Sequence, residues 1–352
     1  MKALRLRSVL VASDLEQRSG FVVDAAGRLA AAMRAELHAI HALAMPSPEA
    51  ITTRTVQEDV AFADRQLERQ LMRSARGMLV GSRTVTLREP YAAILDRALE
   101  VAADLIVLGP HRGRMLGRLL GTTADRVMRR ATAPCLIVNA PLPLPLPLRR
   151  VVVGYDFSGA AEAALSAAVA WVAGLGRPGP EGDVPELVVV HVIRPLQLFG
   201  EYLADVGEVA DVLNDRLAER WARVAGAGAP PPAMRVVIRW SEPVDDVVAR
   251  FAENADLLVV GSSRKGELRS RLIGGIASSI GRRAACPVLL VPADVDAARS
   301  DGIVAGDVGD RWPVEPPAPA RVRRLPDDAP MARRPRLEAG AGPRRPPDGG
   351  TS

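Results

Sequence analysis

Arg7-Ser8-Val9-Leu10-Val11-Ala12-Ser13-Asp14 returns later in the chain as Arg150-Val151-Val152-Val153-Gly154-Tyr155-Asp156, a short apolar run closed by an aspartate. Two further stretches repeat in the same order. Ala103-Asp104-Leu105-Ile106-Val107-Leu108-Gly109 is echoed by Ala255-Asp256-Leu257-Leu258-Val259-Val260-Gly261, and Pro134-Cys135-Leu136-Ile137-Val138 by Cys286-Pro287-Val288-Leu289-Leu290-Val291. Three matches in one order, each offset by roughly 140 to 150 residues, are the mark of an internal duplication. The repeating unit is as long as a domain.

Inside each copy, runs of Val, Leu and Ile alternate with helical patterns. In the first, a strand over 9–13 precedes a helix across 20–36, then a strand over 37–43 and an amphipathic segment through Val60, Leu67 and Leu71. A strand over 84–87 is followed by Pro90, which is tolerated in the first turn of a helix. Strand 105–108, a glycine-rich loop, a helix across 124–130 and strand 135–138 complete the copy. Continuous apolar strands alternating with helices predict a parallel sheet covered on both faces. The expected architecture is α/β, with two tandem doubly wound five-stranded domains over 1–140 and 150–293. Residues 141–149, with proline at every second position from Pro141 to Pro147, read as an extended, semi-rigid spacer. Residues 294–352 carry ten prolines from Pro313 onward and few large apolar residues, so a disordered Arg/Pro-rich tail is expected.

Charge narrows the function. The 352 residues carry a net +5, but eight Arg against four acidic residues from Arg321 onward account for four of those charges. The body is nearly neutral, which argues against a specific nucleic-acid binder. No apolar run reaches the length of a membrane span, and the N-terminus lacks a signal-peptide pattern, so a cytoplasmic protein is expected. Cys135 and Cys286 are too few for a disulfide framework and read as buried apolar residues.

In a doubly wound sheet, ligands bind beyond the carboxyl ends of the strands. The residues falling there are Ser13, Asp14, Ala42 and the loop from Gly109 to Thr123 in copy one. In copy two they are Tyr155, Asp156, Val192 and the loop from Gly261 to Gly275. Glycines let a backbone approach phosphate, and helix N-termini attract anions. A simpler role for Asp14 and Asp156 is capping the next helix. His41 and His191 at strand ends suit structural roles, and Thr122 with Asp125 forms a helix-start pattern. Arg129-Arg130 reads as a solvated helix face. His111 has no Asp or Cys placed to make a triad or a metal site.

Each half resembles one domain of the universal stress protein family. The resemblance rests on Val9–Asp14, His41-Ala42 and His191-Val192, Ala103–Gly109, Leu119–Val127 and Ala133–Val138. It implies pairing of domains through the last strand, here an intramolecular pseudo-dimer, with a homodimer also open. It also implies a site for ATP or another adenine nucleotide: the aspartate after strand one and the end of strand two contact adenosine, and the glycine loop holds phosphates. Nucleotide-binding members carry Gly, two residues, Gly, nine residues, Gly, then Ser or Thr. In copy one Gly109, Gly121 and Thr122 match, but the loop is one residue short and Arg112, followed by Gly113, takes the middle position. In copy two Gly261 and Gly274 match, while Arg264 replaces the middle glycine and Gly275 the hydroxyl residue. The expected function is stress-response regulation by sensing a nucleotide or smaller anion, against an alternative of a scaffold that binds no nucleotide. No enzyme is read from the sequence, with a slow ATPase activity left open, and no metal site or named protein partner.

Overall fold

The computed structural model describes residues 4–16, 20–43, 53–74, 79–109, 122–138, 144–176, 184–193, 206–225, 231–240, 243–262, 279–280 and 283–293. Copy one comprises β1 (Ser8–Ala12), α1 (Gly20–Met33), β2 (Glu36–Leu43), α2 (Thr53–Ser74), β3 (Val80–Leu87), α3 (Pro90–Glu100), β4 (Leu105–Leu108), α4 (Thr122–Met128) and β5 (Cys135–Ile137). Copy two comprises β6 (Arg150–Tyr155), α5 (Gly159–Leu175), β7 (Glu186–Ile193), α6 (Val206–Ala225), β8 (Ala233–Trp240), α7 (Val244–Ala252), β9 (Leu257–Ser262) and β10 (Val288–Pro292).

Both copies share one ten-stranded sheet in the order β3-β2-β1-β4-β5-β10-β9-β6-β7-β8. Strands within a copy run parallel, and the copies join where β5 meets β10 antiparallel, with Leu136 opposite Leu289 and Cys135 opposite Leu290. This is the expected intramolecular pseudo-dimer. An unpaired apolar edge at either last strand would invite association with other chains. Among the described residues, β3 and β8 are the edges of this sheet.

Alternate strand residues face opposite sides. Val9 and Val11 enter the core beneath α1, α2, α5 and α6, while Leu10 enters the one beneath α3, α4 and α7. Burial on both sides explains why these strands read as unbroken Val/Leu/Ile runs. The duplicated Ala-Asp pair has a structural role at the amino ends. One carboxylate oxygen of Asp104 accepts from the Arg7 and Ser8 amides at 2.6 and 3.2 Å, and Asp256 accepts from Arg149 and Arg150 at 2.6 and 2.9 Å.

Two expectations change. β3 begins at Val80, four residues before the strand read from the sequence, because Val80 to Arg83 form a half-exposed edge without an apolar run. Residues 144–148 are not a free extended spacer: Leu144 and Leu148 are fully buried, and the Leu148 amide donates to the Leu175 carbonyl at 2.9 Å. The leucines between the prolines are apolar enough to be drawn into the core. The tail read as disordered, 294–352, lies outside the described residues.

Candidate functional site

Strand order places a crevice between β1 and β4, where successive crossovers leave on opposite sides, and an equivalent one between β6 and β9. The two mouths share one construction. After β1, Asp14 Oδ1 accepts from the Glu16 amide at 2.9 Å across Leu15, whose φ is 62°. After β6, Asp156 Oδ1 accepts from the Ser158 amide at 3.1 Å and its hydroxyl at 2.6 Å across Phe157, whose φ is 63°. Left-handed backbone at a Leu or Phe costs about 1–3 kcal/mol and persists where its surroundings fix it. Histidines from the neighbouring strand supply part of that fixation. His41 Nδ1–H donates to the Ser13 carbonyl, and His191 Nδ1–H to the Tyr155 carbonyl, each at 2.8 Å. Ala42 and Val192 follow these histidines and pack partly buried against the α3/α7-side core.

Asp156 does not cap α5: Ser158 does, its Oγ accepting from the Ala161 amide at 3.1 Å, while α1 is described from Gly20 onward. Asp156 instead holds that capping serine. Thr122 opens α4, where Asp125 pairs with Arg129 at 2.7 Å. The Arg129-Arg130 pair is therefore not simply solvated, since the Arg130 guanidinium also lies 5.2 Å from the Tyr91 ring centre.

Gly109 and Gly261 end β4 and β9 beside these turns. A Cβ on Gly261 would stand 2.3 Å from the Ala160 carbonyl carbon and oxygen, so only glycine lets β9 meet the first turn of α5. At Gly109 the nearest atom would be the Val22 Cγ2, at 2.9 Å. Arg112, Gly113, Gly121, Arg264, Gly274 and Gly275 lie outside the described residues.

Side chains make the crevices unlike. In copy one, Ser13 Oγ donates to Gln70 Oε1 at 2.5 Å and accepts from the Leu15 amide at 3.0 Å, a neutral pair. In copy two, Tyr155 takes the place of Ser13. Its hydroxyl donates to Glu162 and accepts from Arg216 Nη1 at 2.9 Å, and Arg216 and Arg220 both pair with Glu162. The Phe157 ring meets Tyr155 and His191 edge-on at 5.0 Å each, and Arg216 lies 5.6 Å from its centre. Burial pushes the Tyr155 hydroxyl pKa up, opposed by the two guanidinium groups. This cluster escaped the sequence reading. Its only signal was the four-residue spacing of Arg216 and Arg220, which puts both on one helix face.

Each mouth thus carries an aspartate carboxylate held in a tight turn beside a glycine against which the neighbouring helix packs. Among the described residues, no group of three or more His, Cys, Asp or Glu is placed to hold a metal ion. No helix among them is long and apolar enough to cross a membrane.

Comparison with known proteins agrees with this geometry. The model of the universal stress protein family matches residues 5–139 and again 147–292. Universal stress protein Rv2005c of Mycobacterium tuberculosis is 28% identical over 256 residues, covering 70% of this chain and 81% of its own. Rv2623 of the same organism is 30% identical over 214 residues, covering 56% and 65%. A solved universal stress protein from Archaeoglobus fulgidus superposes with a TM-score of 0.55 at 18% identity, over 82% of this chain and all of its own, which supports the fold. With two matched domains, the repeated aspartate turns and the shared sheet, the chain belongs to the universal stress protein family.

Proposed function

We propose that this chain is a stress-response regulator that senses an adenine nucleotide, or a smaller anion of that kind, at its two crevices. The observation that carries the reading is the duplicated aspartate turn. Asp14 and Asp156 are held at equivalent places by the same amide bond, the same left-handed residue and the same histidine-to-carbonyl bond. A carboxylate so held is positioned to accept from ribose hydroxyls, and backbone strain tends to collect at ligand sites. The crevices are not equivalent. A neutral Ser13–Gln70 pair lines copy one, whereas Tyr155, Phe157 and Arg216 cluster on the α6 side of copy two.

Arg112 and Arg264, at the loop position where nucleotide-binding relatives carry glycine, favour a mono- or diphosphate over a triphosphate. Copy one is the better ATP site and copy two binds ATP weakly or not at all. Calorimetry with ATP, ADP and AMP on the wild type, Arg112→Gly and Arg264→Gly tests this. Each glycine variant is expected to gain ATP affinity; loss of affinity in either makes the arginine a ligand and overturns the steric reading. The scaffold alternative draws on the β5–β10 junction, which gives one chain the pairing of a dimer without any nucleotide.

A further inference from the structure

A second constellation lies at the opposite end of the sheet from the crevices, at the amino ends of β2 and β3. His38 and Ser82 stand directly opposite each other on these strands. His38 Nδ1 is 2.8 Å from Ser82 Oγ, and its Nε2 is 3.5 Å from Glu36 Oε2. Arg97 of α3 donates from Nη2 to Ser82 Oγ at 2.6 Å and from Nη1 to Glu100 at 2.7 Å. A guanidinium only donates, so the serine proton is left to find another acceptor, and Nδ1 is in reach. That sets the imidazole proton on Nε2, facing Glu36. Gly81 makes room for the ring: a Cβ there would stand 2.4 Å from His38 Cε1.

Two observations separate this from an ordinary cross-strand polar pair. The series hydroxyl, imidazole, carboxylate has the order that activates a nucleophile through a base held by a third group. Further, Arg97 aims its Nη2 at the same serine oxygen from α3, so a cationic donor stands beside the reacting atom. We propose that Ser82 is a nucleophilic serine, with His38 as its base, Glu36 as the residue orienting that base and Arg97 as the donor to the developing oxyanion, acting on small activated acyl esters that reach the exposed edge of β3.

The Ser82 oxygen bonds to the ester carbonyl carbon as its proton passes to His38 Nδ1. The carbonyl oxygen becomes negative beside the Arg97 guanidinium and takes its Nη2 donor, which the serine oxygen gives up as it becomes the ester oxygen. The bond to the leaving alcohol breaks, and that alcohol takes the proton from His38. Water then repeats the sequence on acyl-Ser82 and releases the carboxylic acid, so the sum is ester plus water giving acid plus alcohol. Burial lowers the His38 pKa below its ordinary 6.5, against the pull of Glu36 and with Arg97, which keeps the base unprotonated at neutral pH.

The test is covalent labelling of the full chain with an alkyl fluorophosphonate, alongside p-nitrophenyl acetate hydrolysis, read by intact mass and peptide mapping. One adduct on Ser82 is expected, absent from Ser82→Ala at an unchanged melting temperature. His38→Gln should slow labelling about a hundredfold, the usual size of a general-base contribution. Glu36→Gln should slow it by less, and its side chain is 60% exposed, so folding is unaffected. The wild-type rate should rise with pH through a titration below 6.5 and then level off. No adduct on native Ser82, or an adduct formed equally fast in Glu36→Gln and without that pH dependence, overturns the proposal even if the other variants fail to fold.

Discussion

Replacing Gly261 by alanine probes how closely the crevice of copy two is built. The added Cβ would lie 2.3 Å from the carbonyl carbon and oxygen of Ala160 and 2.8 Å from its Cβ. Ordinary contact begins near 3.4 Å, so about 1 Å of room must come from backbone. Neither partner yields easily. β9 is paired on both sides, to β6 and β10, and the first turn of α5 is pinned by the Ser158 cap and by buried Ala160 and Ala161. Overpacking of this kind costs about 1–3 kcal/mol. The loss of unfolded-chain freedom on replacing glycine returns about 0.4–1 kcal/mol. A net loss of about 1–2 kcal/mol remains. For a chain of this size, at about 2.1 cal/mol/K of unfolding entropy per residue, that lowers the melting temperature by about 1–4 °C. Gly109→Ala is the control, since there the obstacle is one Val22 methyl with the next atom at 3.9 Å, and its effect should be within about 1 kcal/mol. Differential scanning calorimetry of both variants decides the matter. Equal stability of Gly261→Ala and wild type, or a larger loss in Gly109→Ala, would refute the reasoning.

Two more outcomes follow from buried titratable groups. Burial lowers the His38 pKa in the folded chain, so the unfolded state binds the proton more readily and stability falls as pH drops from 6.5 through the folded value. Urea midpoints at pH 7.5 and 5.5 should differ less in His38→Asn than in wild type; an equal difference would show that His38 does not titrate as described. Cys135 and Cys286 are buried with thiol pKa values pushed up to about 12, so both should resist iodoacetamide in the native chain at pH 8 and react on unfolding. Rapid native alkylation of either would contradict that burial.

The strands and the duplication were legible because burial on both faces forces unbroken apolar runs, and the same runs occur twice. Pairing of β5 with β10 was implied by the family resemblance, and the cost of leaving such edges open agrees with it. Legibility failed where polar residues take structural parts. The first half of β3 carries Ser82 and Arg83 on an edge, and Arg83 is held by Asp64 and Glu68 of α2 at 2.9 and 2.7 Å, contacts between elements that no local pattern announces. The tight turns after Asp14 and Asp156 were not legible, since a left-handed Leu or Phe has no glycine to mark it. The His38–Ser82 pair is 44 residues apart and depends on parallel register, and Tyr155 meets Arg216 across 61. Such pairs belong to the fold.

The most direct test of nucleotide sensing is isothermal titration of the full chain with ATP, ADP and AMP at fixed salt, repeated with Asp14→Ala, Asp156→Ala and the double variant. Both carboxylates lie at the surface in turns beyond the strands, so the variants should fold. Binding by the wild type is expected, with AMP or ADP preferred to ATP and any ATP bound going to copy one; Asp14→Ala should remove the copy-one component, Asp156→Ala the copy-two component, and the double variant should be silent. Affinity unchanged in the double variant, or a wild type that binds none of the three, would contradict it.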